Sequence, residues 1–195
     1  MGRVFNVTAD CKPEFHYMVD IRSRLDQIKG YVDQGAYFAI NRARQYGKTT
    51  TLRRLREYLK DQYYVISMDF QMQMSYAKFR SEHTFSVAFA KAFVRIVKNL
   101  EAEIPEKMAQ AAEMLGRVAQ SDREELELVE LFQYLSDICK ESDRPLVLMI
   151  DEVTARRITR YFLIFWPSSE DIISTEIRQL HSGRSFWQAC MISEI

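Results

Sequence analysis

The sequence predicts an α/β fold built on a parallel sheet with helices on both faces. Two observations predict it. Short apolar runs alternate along the chain with longer runs of helical period, the order that builds a parallel sheet. One of the short runs, Leu146-Val147-Leu148-Met149-Ile150, is apolar at every position, as a strand buried on both faces requires. A chain of 195 residues with 47% hydrophobic and 28% charged content has ordinary globular usage and is long enough for one domain with a core.

The elements follow in order. Asp20 can cap a first helix with apolar residues Ile21, Leu25, Ile28 and Val32, and Gly35 can end it. Ala36 to Ile40 is the first strand. Leu52, Leu55 and Leu59 then give a second helix its inner face, with Arg53, Arg54, Arg56 and Glu57 outside. Tyr63 to Phe70 is rich in aromatic and β-branched residues and reads as the second strand. Asp69 at its end has two readings, a neighbour of a site or a turn residue. A long helix is expected over Phe85 to Glu103, its stripe Phe85, Phe89, Phe93, Ile96 and Leu100 facing the core. Ser121 with Glu124 fits a capping box that opens the next helix, with inner face Leu128, Leu131, Phe132, Leu135 and Ile138. The apolar strand comes next and ends in Asp151-Glu152.

Two of the junctions carry chemistry. Between the first strand and the second helix lies Asn41-Arg42-Ala43-Arg44-Gln45-Tyr46-Gly47-Lys48-Thr49-Thr50. Strand, tight loop and helix with Gly-Lys-Thr at the loop exit is the layout of a phosphate-binding loop, the Walker A pattern. Gly47 lets backbone approach a phosphate. Free amides at the helix start, and its dipole, favour an anion there. Lys48 is a point charge for terminal phosphates, and the Thr49 hydroxyl can ligate Mg²⁺. The general pattern opens with a glycine, where this chain has Arg42. The second junction is the acid pair, which fits Walker B: Asp151 for the metal and Glu152 to polarise an attacking water. A solvated pair closing a core strand is the alternative.

Other features bound the function. Formal net charge is zero, so no bulk field draws the chain to nucleic acid or membrane, although a local basic patch is compatible with that total. Cys11, Cys139 and Cys190 lack metal spacing, as do His16, His83 and His181. Cys139 falls on an apolar helix face and reads as a small core residue. No signal peptide and no apolar run near ~20 residues is present, so the expected setting is cytoplasmic, without a membrane partner.

Five blocks, Phe5 to Thr8, Pro13 to Asp20, Ile40 to Leu52, Val65 to Phe70 and Leu148 to Val153, together resemble the bacterial AAA-ATPase-like family. That resemblance implies a P-loop NTPase domain with a three-layer parallel sheet, followed in the family by a PD-(D/E)XK nuclease-like domain. Residues 1–153 would be the N-terminal part of the ATPase domain. It implies ATP and Mg²⁺ as ligands: Arg44, Gln45, Tyr46, Gly47, Lys48, Thr49 and Thr50 around the phosphates, Thr49 and Asp151 on the metal, and Glu152 as the catalytic acid. Arg42 and Arg44 either brace phosphates or are solvated. A nucleic-acid or protein partner is implied for the full-length family.

After Val153 the resemblance stops. Residues 154–195 sustain neither helical nor strand period, and Tyr161 to Trp166 is an uncharged apolar run of the aggregation-prone kind. Restoring one nucleotide after the Val153 codon changes this. Because tryptophan and methionine have single codons, Phe165-Trp166-Pro167 and Phe186-Trp187-Gln188 must each then contain Leu-Ala, and Met191-Ile192 must yield Asp. The restored frame reads as a polar linker, an amphipathic helix and an apolar strand. Residues 154–195 are therefore read as an out-of-frame tail, expected to pack poorly and to leave the sheet incomplete and hydrolysis impaired. A divergent native terminus is the other reading. Three functional classes follow: an ATP-binding ATPase domain, a non-catalytic truncated remnant, or a nucleic-acid-linked or partner-binding module that has lost its nuclease-like domain.

Overall fold

The computed structural model describes residues 20–40, 48–70, 76–100, 104–121, 126–154, 179–180 and 187–194. The elements are α1 (Arg22–Asp33), β1 (Tyr37–Ala39), α2 (Lys48–Leu59), β2 (Tyr64–Asp69), a 3₁₀ turn (Tyr76–Phe79), α3 (Glu82–Lys98), α4 (Glu106–Gln120), α5 (Leu128–Lys140), β3 (Leu146–Thr154), β4 (Gln179–Leu180) and β5 (Trp187–Glu194). This is a helix-rich α/β arrangement. The strand order is β2-β3-β5-β1-β4. The first four are parallel to their neighbours, and short β4 runs antiparallel to β1.

Local chemistry sets the ends of α1. Asp20 Oδ1 accepts the Arg22 amide at 2.9 Å, but the cap position of α1 is Ile21, which makes no side-chain cap bond, so Asp20 stands one residue before the place expected of it. At the other end the Ala36 amide donates to the Tyr31 carbonyl and the Gly35 amide to the Val32 carbonyl, both at 2.9 Å. This pair of bonds is the Schellman ending. It needs a left-handed residue, and Gly35 supplies it with φ of 66° at no Cβ cost. The chain then turns directly into β1, so α1 and β1 run in opposite senses.

The core has two parts. Tyr64, Ile66 and Met68 of β2 and Leu146, Leu148 and Ile150 of β3 pack with α3, α4 and α5. Val65, Val147 and Met149 pack instead with α1, α2 and β1. Alternate residues of a strand point to opposite faces, so helices cover both faces of the β2–β3 pair. The phenylalanine stripe of α3 is core, as expected. Phe85 meets Phe89 at 5.9 Å between centroids, Phe89 meets Phe93 at 6.4 Å, and Phe70 stands edge-on to Phe89 at 6.3 Å. Cys139 is buried in the same cluster, and burial pushes its thiol well above the usual range.

Three boundaries differ from the sequence reading. α3 starts at Glu82, not Phe85, because Ser81 and Thr84 form a reciprocal capping box. It ends at Lys98, while residues 101–103 lie outside the described set. Ser121 does not open a helix. It closes α4, its amide donating to the Arg117 carbonyl at 3.0 Å and its hydroxyl to that of Val118 at 2.8 Å. The following helix, α5, begins at Leu128 with Glu127 and Glu130 as its capping box. Its first amide, on Leu128, donates to Glu82 Oε1 at 2.8 Å, which ties the start of α5 to the start of α3.

Strands β4 and β5 fall within the segment assigned from sequence to an out-of-frame tail. The described backbone of β5 lies between β3 and β1 and pairs with both. Residues 155–178, which include the apolar Tyr161 to Trp166 run, are outside the described residues.

Candidate functional site

Parallel pairing across four strands puts their carboxyl ends on one edge of the sheet. The register makes this specific. Phe38 pairs with Cys190, which pairs with Met149, and Ala39 pairs with Met191, which pairs with Ile150. Ala39 and Ile150 are therefore level, and so are the residues after them, Ile40 and Asp151. One strand separates β1 from β3, so the gap is about 10 Å at ~4.8 Å per strand. Asp69, at the carboxyl end of β2, is the register partner of Asp151. Both carboxylates belong to half-buried residues.

α2 reaches the same edge. Its last residue, Leu59, comes shortly before the start of β2 at Tyr64, so its C-terminus lies at the amino edge. Leu52, Leu55 and Leu59 seat it against Val65, Val147 and Met149. Twelve residues span about 18 Å, which returns its N-terminus to the carboxyl edge. Lys48 is its first residue. Thr49 is exposed and Thr50 half-buried in the first turn. Arg44, Gln45, Tyr46 and Gly47 lie outside the described residues, as do the Lys48 and Glu152 side chains. The structure thus brings the start of α2 and Asp151 to one edge and adds Asp69 beside them.

Sequence reasoning misses one feature of β3. Ile150 pairs with Met191 but Val153 pairs with Ser193, so the register shifts between them. Two residues, Asp151 and Glu152, stand opposite one, Ile192. That is a β-bulge at the acid pair. A bulge breaks strict alternation and re-aims side chains, so adjacent acids need not face opposite sides of the sheet. An unbroken apolar run gives no sign of register, and only the pairing with β5 reveals it.

Hydrogen bonds hold α1 against α2 and the start of β2. The Tyr58 hydroxyl donates to Asp26 and the Tyr63 hydroxyl to Asp33. Lys29 adds an ion pair to Asp33 at 2.8 Å and sits 5.8 Å from the centre of the Tyr63 ring. Burial and the bond to Asp33 push the Tyr63 hydroxyl up to about 12. Burial acts to raise the Asp33 carboxyl, but the bonds from Lys29 and Tyr63 outweigh it and hold it below the usual range. At the same amino edge but on the other face of the sheet, Tyr64 donates to Asp143 at 2.9 Å and accepts from Arg144 at 3.1 Å. This cluster fastens the amino ends of β2 and β3, away from the candidate site.

Among the described residues no three His, Cys, Asp or Glu side chains gather as a metal site, and no helix is long and apolar enough to cross a membrane. No family model, curated protein or solved structure matches this chain.

Proposed function

We propose that this chain is a nucleotide-binding module of the P-loop, AAA-ATPase-like kind, its β2–β3 sheet and flanking helices forming part of a three-layer P-loop fold. Its ligand on this reading is Mg²⁺·ATP. The observation that carries the reading is the shared edge: Ile40, directly after β1, is level with Asp151 of β3 about 10 Å away, and the next element, α2, begins with Lys48-Thr49 and has its N-terminus toward that edge. Ligands of open α/β sheets bind at this edge.

The residues present suit such a ligand. The start of a 12-residue helix offers amides and a positive dipole end to phosphate. Lys48 supplies a cation. The exposed Thr49 hydroxyl and the paired carboxylates of Asp151 and Asp69 are hard oxygen donors of the sort Mg²⁺ takes. Bound Mg²⁺ would offset charge on the phosphates. On this reading Gly47 would permit close approach of backbone, Arg44, Gln45, Tyr46 and Thr50 would complete the loop, and Glu152 would orient a water.

Calorimetric titration with Mg²⁺·ATP tests this. Lys48→Ala removes a charge-assisted contact worth about 1.5–3 kcal/mol, so affinity falls at least ~10-fold. Equal affinity of the two proteins would sink the assignment.

A further inference from the structure

We draw no further inference here: the strongest candidate, the cavity of about 300 Å³ at the start of α1 lined by Asp20, Ile21, Ser23, Arg24 and Gln27, opens at the same carboxyl edge as the start of α2, so a ligand in it belongs to the candidate nucleotide site already described.

Discussion

The two faces of the sheet are built differently. Three helices cover one face, and its centre is a run of phenylalanines from α3 with Phe70 of the segment after β2. Two helices cover the other, through leucine, isoleucine and valine and the tyrosine–aspartate bonds between α1 and its neighbours. The first face holds most of the buried aromatic area. The second carries the helix that begins with Lys48-Thr49. Stability and the candidate site are thus divided between faces, and substitutions can separate them.

The largest effect is expected on the aromatic face. Phe89→Ala should cost about 3–5 kcal/mol in urea unfolding and leave Mg²⁺·ATP affinity of the folded protein unchanged. Leu55→Ala, on the other face, should cost about 2–5 kcal/mol and weaken nucleotide binding as well, because α2 loses its seat. If both variants changed affinity equally, the division would fail.

Glu82→Ala should cost about 1–3 kcal/mol, since it leaves the Leu128 amide without its carboxylate. Glu82→Gln keeps an acceptor and should recover most of that in the same melts. Tyr63→Phe should cost about 0.5–1.5 kcal/mol and change the pH dependence of stability at both ends. The Tyr63 value is raised in the folded state, so its contribution is complete below about 10, the ordinary tyrosine value, and is lost as pH rises toward about 12. The Asp33 value is lowered, so its contribution is present above the ordinary aspartate value and lost as pH falls through the folded one. Tyr63→Phe should flatten the alkaline loss and reduce the acid loss. An unchanged profile would remove the Tyr63–Asp33–Lys29 cluster from the account.

The smallest expected signal is turnover. Transition-state charge in phosphoryl transfer is usually met by further cationic or polar groups. A steady-state phosphate-release assay on the chain should give no rate above that of Glu152→Gln. A Glu152-dependent rate would show that the residues present suffice.

How much of the fold is legible in the sequence follows from signal strength. The leucines of α2, the phenylalanines of α3 and the apolar run of β3 are large side chains at clear periods, and each element lies where its pattern places it. Helix α4 has no such signature. Its inner face, Met108, Ala112, Leu115, Gly116 and Ala119, is mostly small, because it crosses α3 closely: a Cβ on Gly116 would sit 3.2 Å from Val94 Cγ1. Small residues carry little hydrophobic contrast, so the period is faint, and Ser121 reads as a helix start in the sequence where it is an end in the structure. At the candidate site, residue types single out Lys48, Thr49 and Asp151 as candidates, but the common height of Ile40 and Asp151 and the bulge depend on long-range register, which local sequence does not encode. Arg44 to Gly47 lie outside the described residues.

The position of β5 has a consequence in time. β1 and β3 never pair; each pairs with β5 from opposite sides. During synthesis both strands exist once Thr154 is made, yet the strand that sets their spacing is complete only at Glu194. At 5–20 residues per second that leaves roughly 2–8 s in which two unpaired strand edges face a slot one strand wide. On the proposed reading, the loop and the acids come into alignment only when this strand docks. Nucleotide would then bind a finished sheet more tightly than a growing one, and ligand added during refolding would favour the state in which β5 is in place.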